Sequence, residues 1–248
     1  MVRFFSQCII YGVMYNKKKK NGLPDVGRQI NIKRMKEYLK LSNECNLELM
    51  KRYEDDYFDL AIVDPPYGLG KRTTDGGSKK NTQTKFMADI RRTNWDDSTP
   101  TKEYFNELKR VSKNQIVWGG NYFELHSYRT FIVWDKMTYV PTMSQVELAV
   151  TSFDKPARLI KINSNQLERI HPTQKPVALY QYLLQNYAEK GNKILDTHLG
   201  SGSIAIAVDS VNKIEKLDLT LVACEIDSKY YKEAVSRIEE ETKWNSLF

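Results

Sequence analysis

From residue 37 onward the chain alternates short apolar runs with longer stretches of helical period, and this alternation limits the fold more than any other feature. The runs at 58–64 (FDLAIVD), 193–196 (KILD) and 219–227 (LTLVACEID) read as buried strands. A strand with no dedicated polar face needs cover on both sides, as in a parallel sheet between two helix layers. Between these runs, 101–113 predicts a helix with Tyr104, Phe105, Leu108 and Val111 on one face. A second helix is expected after Pro176, with Gly191 beyond its end, a third after the glycines at 200 and 202, and a closing one over 230–243. A short strand at 38–42 and a helix at 47–53, with Leu47, Met50 and Tyr53 on one side, open the regular part. Runs at 115–120, 130–136 and 145–153 follow one another as strands, which predicts an antiparallel member at one edge of an α/β sheet.

A chain of 248 residues, 41% hydrophobic, suits one such domain with an added arm. No apolar run approaches the roughly 18 residues of a membrane span. Met1 to Met14 is mildly apolar, but the lysines at 17–20 follow it instead of preceding it, so it reads as an ordinary N-terminal segment and not a signal peptide. Cys8, Cys45 and Cys224, with His126, His171 and His198, fit neither a disulfide framework nor a zinc site. The expectation is a reducing, cytoplasmic setting (a bacterial or phage-infected cell) and no structural metal. Charge is unevenly placed. Residues 1–36 carry nine Lys or Arg against Asp25, and 71–92 carry seven (Lys71, Arg72, Lys79, Lys80, Lys85, Arg91, Arg92) against Asp75 and Asp89. The net charge is only +7, so the remainder is acidic, and two basic patches on an acidic body point to a polyanion.

Two constellations carry chemistry. The strand at 58–63 ends in Asp64-Pro65-Pro66-Tyr67. Ligands of open α/β sheets bind beyond the carboxyl ends of the strands. Two prolines fix φ and donate no N–H, leaving the Asp64 and Pro65 carbonyls available to a ligand. The plainer reading is a rigid strand exit whose Asp caps the next turn. The second constellation is the strand–glycine loop–helix of 193–211. Gly200 and Gly202 allow close approach of the backbone, and Glu225, 25 residues on at the end of the next strand, suits a pair of ribose hydroxyls. The same two glycines would serve a dinucleotide, but Ala205 stands where the third glycine of that fingerprint belongs, which disfavours an oxidoreductase.

Asp64-Pro65-Pro66-Tyr67 resembles the catalytic motif of the amino-methyltransferases that act on nucleic acids. Asp196-Thr197-His198-Leu199-Gly200-Ser201-Gly202, continuing into Ser203, resembles their cofactor loop, usually Asp-Pro-Phe-x-Gly-x-Gly, with Thr197 and His198 in place of Pro and Phe. His171-Pro172-Thr173-Gln174-Lys175-Pro176 is similar to the segment that closes over the cofactor carboxylate, which implies His171, Thr173 and Lys175 there. Ser42-Asn43-Glu44-Cys45 resembles the turn at the cofactor adenine, with Asn43 and Glu44 where Gly and Asp are usual. Val117 to Phe123, including Asn121, recurs in relatives near the base pocket; Trp95 and Trp118 are candidates for lining that pocket or for the core.

The resemblance implies S-adenosylmethionine as cofactor, held by these segments together with Asp64, Glu225 and Ile226. It implies that the Asp64 carboxylate and the next carbonyl accept hydrogen bonds from a target amine while Tyr67 stacks on its base, a contact worth about 1–3 kcal/mol. The catalytic motif precedes the cofactor loop, as in the permuted "β" group of DNA amino-methyltransferases. That implies a Rossmann-like, seven-stranded sheet, mostly parallel with one antiparallel strand, in circularly permuted motif order. Asp at the first motif position favours adenine N6, and Ser would favour cytosine N4. The alternatives are cytosine N4, an RNA or protein-glutamine substrate, and a DNA-binding pseudo-methyltransferase suggested by Thr197 and His198.

Duplex DNA hides its amino groups, so the target base must be flipped out. Only 17 residues (154–170) separate the last middle strand from His171, too few for a separate recognition domain. The loop 69–95 and its basic residues are the expected DNA contacts, joined by Asn121, with phosphate contacts dominating and sequence preference short or shared with a second subunit. The catalytic domain is expected over 37–248 and a basic arm over 1–36. A homodimer or a separate specificity subunit is the expected assembly.

Overall fold

The computed structural model describes residues 37–69, 99–125, 128–139, 144–164, 170–171 and 173–244. The arm 1–36, Trp95 and the basic residues Lys71, Arg72, Lys79, Lys80, Lys85, Arg91 and Arg92 lie outside the described residues. The elements in order are β1 (Leu39–Ser42), α1 (Asn46–Met50), β2 (Phe58–Val63), α2 (Lys102–Val111), β3 (Ser112–Trp118), β4 (Thr130–Asp135), β5 (Val146–Thr151), β6 (Arg158–Lys161), α3 (Val177–Tyr187), β7 (Lys193–Asp196), α4 (Ser203–Ile214), β8 (Thr220–Cys224) and α5 (Ser228–Trp244).

The strands form one sheet in the order β1-β8-β7-β2-β3-β5-β4-β6. β5 runs antiparallel to both neighbours, and every other pairing is parallel. A mostly parallel α/β sheet with one antiparallel strand is therefore present, with two differences from expectation. The antiparallel strand lies inside the sheet, between β3 and β4, because β5 turns back from β4 and fills the space beside β3. Among the described residues the sheet has eight strands, the eighth being β6 within the stretch read as a connection. On β6 only Ile160 is buried, while Arg158, Leu159 and Lys161 are exposed. An edge strand covered on one face can be this polar, and so leaves little trace in an apolar pattern.

Side-chain alternation sorts the core into two layers. Leu60 and Ile62 face a cluster with Leu179, Leu183, Ile204, Val208, Ala234 and Ile238 of α3, α4 and α5. Ala61 and Val63 face the other way, against Leu49 and Met50 of α1 and Tyr104, Phe105, Leu108 and Val111 of α2. Helix α2 starts at Thr101, whose hydroxyl accepts the Tyr104 N–H at 3.3 Å, and stops at Val111. Ser112 is already extended, so the helix gives way to β3 without a loop. From β2 the chain moves to β3 on one side, and from β7 to β8 on the other. The order thus reverses between β7 and β2, where an open α/β sheet leaves a crevice at its carboxyl ends.

Candidate active site

A cavity of about 600 Å³ fills that crevice. Its walls come from Glu44 to Leu47 after β1, Asp64 and Pro66 after β2, Tyr104 of α2, His171 and Thr173 to Lys175 before α3, Thr197 to Ser201 and Ser203 around the glycine loop, and Glu225 to Asp227 with Tyr230 after β8. Segments distant in sequence converge because parallel strands deliver their carboxyl ends to one rim. Of the residues singled out from sequence, Asn43, Pro65, Tyr67, Asp196, Gly202 and Asn121 do not line the cavity.

Several of these support the wall from behind. The Asn43 amide donates to the Glu225 and Ile226 carbonyls at 2.6 and 3.1 Å, tying the ends of β1 and β8 together. Gly202 sits at φ 77°, where a Cβ would fall 2.7 Å from the Ile238 side chain. Arg237 of α5 donates from below to the Ser201 carbonyl and the Ser203 hydroxyl, each at 3.0 Å. Asp196 is 1% exposed and accepts the His198 N–H at 2.9 Å; burial pushes its carboxyl up to about 8.

The Thr197-His198 pair is part of a closed hydrogen-bond chain. His198 meets the Asn46 amide through Nε2 at 3.1 Å and the Thr197 hydroxyl through Nδ1 at 2.9 Å. Thr197 in turn meets the Tyr104 hydroxyl at 2.6 Å, and the Tyr104 ring packs edge-on against the imidazole. An amide donor at Nε2 places the imidazole proton on Nδ1. Burial lowers His198 to about 3, so the ring is neutral at physiological pH. Burial, and then the Lys175 charge, lower His171 to about 4; its ring packs against Tyr230. Glu225 accepts the backbone N–H groups of Gly200 and Asp227, both at 3.0 Å, and burial raises its pKa.

The Asp64 end is organised by charge. Asp64 Oδ1 accepts the Tyr67 hydroxyl at 2.7 Å, and Oδ2 meets the Lys175 ammonium at 2.5 Å. Lys175, 3% exposed, also pairs with Glu147 of β5 at 2.9 Å, and the other Glu147 oxygen pairs with Lys136 at 2.8 Å. Burial opposes the Lys175 charge, yet the two carboxylates outweigh it and raise its pKa. Burial likewise opposes ionisation of Glu147, but Lys175 and Lys136 hold it down to about 2. Burial lifts the Asp64 carboxyl, with Lys175 pulling it back. The Tyr67 ring stacks on Tyr122 with centroids 4.9 Å apart and planes at 15°. Gly119, at φ 70°, lets the backbone pass so close to Tyr67 that a Cβ would clash at 2.2 Å. Trp118 is fully buried beneath the Lys175 ammonium, which lies 5.2 Å from its ring, so it belongs to the core and not to the cavity wall. Asn121 is exposed on the short turn beside Tyr122.

Comparison with known proteins gives this geometry relatives. The DNA methylase family model matches residues 115–236, from β3 into α5. This part of the chain is similar to the DNA methylase family. The chain is 22% identical over 243 aligned residues to the Type II methyltransferase M.HpaI of Haemophilus parainfluenzae, covering 79% of this chain and 72% of that protein. Three solved structures share the fold, each with a TM-score of 0.52. The M1.HpyAVI-SAM complex is 17% identical, over 81% of this chain and 98% of the other. A putative DNA modification methylase of Thermus thermophilus, complexed with S-adenosyl-L-methionine, is 14% identical over 82% and 94%. The cytosine-N4-specific PvuII DNA methyltransferase is 12% identical over 84% and 94%. The matched segment includes the glycine loop, Lys175 and Glu147, while Asp64 joins them from β2.

Sequence reasoning missed Glu147, Lys136, Asn46 and Arg237, read Tyr104 only as a helix face, and met Tyr122 only within the Val117–Phe123 segment. A signal existed for Glu147. It lies opposite Trp134 on β4, in phase with Ala149 and Thr151, so its carboxylate points into the buried face of an otherwise apolar strand. A charge in that phase requires a partner.

Proposed function

We propose that this chain transfers the methyl group of S-adenosylmethionine to an exocyclic amine of DNA, and that the target is N6 of adenine. The observation that carries this reading is the convergence of the Asp64 carboxylate and the glycine loop on one cavity of a size suited to such a ligand. The residues present fit the cofactor. The Glu225 oxygens keep acceptor capacity for a ribose diol beyond the two N–H groups they already take. Leu47 and Ile226 supply apolar wall for an adenine ring. The N-terminus of α4, at Ser203, and the Thr173 hydroxyl suit the carboxylate of the methionine part. Lys175 is assigned elsewhere, since its ammonium is already held by Asp64 and Glu147.

When bound, the cofactor supplies an electrophilic methyl on a sulfonium, which departs as a neutral thioether. The protein makes the amine reactive. An exocyclic amino nitrogen shares its lone pair with the ring and is a weak nucleophile. Asp64 and the Pro65 carbonyl accept hydrogen bonds from its two N–H groups, favour a pyramidal nitrogen and return the lone pair to that atom. The nitrogen becomes cationic as it gains the methyl, and the proton it then sheds leaves by way of the Asp64 carboxylate. Holding both partners at one rim supplies much of the rate. Tyr67 is the stacking partner of the flipped base, a place the Tyr122 ring takes in this structure. Asn121 and the basic loop 69–95 are the proposed DNA contacts, and the arm 1–36 adds non-specific ones.

The test is incubation of the full chain with methyl-labelled cofactor and unmethylated DNA, RNA or protein, followed by digestion and mass spectrometry. N6-methyladenine from DNA is expected. N4-methylcytosine would move the target base, label in RNA or glutamine the substrate, and absence of label from all three would overturn the reading.

A further inference from the structure

The proposed reaction uses Asp64 as an acceptor, but in the structure that carboxylate is shared. Tyr67 holds one oxygen and the Lys175 ammonium holds the other. A buried ammonium paired with Asp64 alone would bind it tightly and weaken it as an acceptor for a neutral amine. It is not paired with Asp64 alone. Glu147 reaches Lys175 from the antiparallel strand, and Lys136, just after β4, holds Glu147 in turn. Two carboxylates and two ammonium groups from four separate segments thus form one neutral, largely buried cluster.

We propose that Glu147 is a positioning residue for Asp64, acting through Lys175: it shares the charge of the ammonium as a second ion-pair partner and so leaves the Asp64 carboxylate able to receive the target amine. The inference rests on the methyltransferase reading for its consequence, though not for the coupling itself. The groups acting on Asp64 are Tyr67 from its own loop, Lys175 ahead of α3, Tyr180 of α3, Glu147 of β5 and Asp196 of β7. Glu147 works to raise the Asp64 pKa and Lys175 to lower it. Removing either therefore moves Asp64 in opposite directions, a result that loosened packing would not give.

The experiment measures the pH dependence of kcat on unmethylated DNA for the full chain and for Glu147→Gln and Lys175→Met. The carbon-13 carboxyl titration of Asp64 is followed in the same proteins without cofactor. For Glu147→Gln the acid limb and the carboxyl titration should move down by about one pH unit. Plateau kcat should fall by about 10- to 100-fold, the usual effect of losing an outer partner that orients a functional group. For Lys175→Met both should move up, and Glu147→Asp should recover part of the lost rate. A Glu147→Gln profile that superimposes on wild type, or shifts of the same sign in both variants, overturns the proposal. If Glu147→Gln fails to fold, Lys136→Met takes its place. Glu147 then leans harder on Lys175, so a smaller upward shift is expected, and none would count against the coupling. A wild-type chain that methylates nothing sinks the proposed function, while the Asp64 titration still decides the role of Glu147.

Discussion

The two sides of the cavity are held by opposite means. On the β7-β8-β1 side the polar groups around the glycine loop are neutral or satisfied by backbone and uncharged side chains: Asp196 by the His198 N–H, Glu225 by Gly200 and Asp227, His198 by Asn46 and Thr197, with the Glu44–Arg52 ion pair confined to the rim after β1. On the β2-β3-β5 side the same rim is held by four charges. Backbone donors and neutral rings make a cradle of fixed shape, suited to binding. Paired charges in a buried setting make a group whose acceptor strength depends on its partners, suited to a reaction. Binding and chemistry should therefore be separable by mutation.

The largest separation is expected from Asp64→Ala. Methyl transfer should fall by about 10²- to 10³-fold, the usual scale for losing a preorganised polar contact to the reacting group. Calorimetric titration should show cofactor affinity changed far less, and an equal loss of both would erase the distinction between the two sides. The converse variant is Gly202→Ala. It forces a side chain into positive φ and against Ile238, so it should cost about 1–3 kcal/mol of stability and weaken cofactor binding. Chemical denaturation with a parallel binding titration reads both, and an unchanged midpoint with normal affinity would mean the cradle is not rigid.

The two sides also differed in how far the sequence disclosed them. The cradle is legible because its parts are local: an apolar strand, a glycine loop and a helix follow one another within 193–214, and Glu225 closes the next strand. The same is true of Asp64 to Tyr67 and of the helix face built on Tyr104. The charge cluster is not legible in this way. Lys175 and Asp64 are 111 residues apart, and only the placing of β5 between β3 and β4 brings Glu147 to them. The expectation of an edge position for the antiparallel strand hid that contact. β6 escaped because one buried residue, Ile160, makes no period, and Arg237 because a solvated face of α5 gives no hint that one arginine turns back under the loop.

The smallest expected effect tests the neutral side by pH. Asp196 has its folded pKa raised by burial to about 8, while an unfolded chain ionises near 3.9. The folded state therefore holds a proton that the unfolded state releases. The resulting stabilisation is complete below about pH 4 and is lost as pH rises through 8. Asp196→Asn keeps the oxygen that accepts the His198 N–H and cannot ionise. Relative to wild type its melting temperature should be higher at pH 8, and the difference should shrink steadily as pH falls and close near pH 4. The histidines act in the opposite sense, since His198 and His171, lowered to about 3 and 4, withdraw stability as pH falls below about 6.5. They are common to both proteins and cancel in the comparison. A gap that stays constant from pH 4 to 8 would mean that Asp196 carries its charge in the folded chain, and the contrast between a neutral cradle and a charged pocket would then fail at the residue where the glycine loop begins.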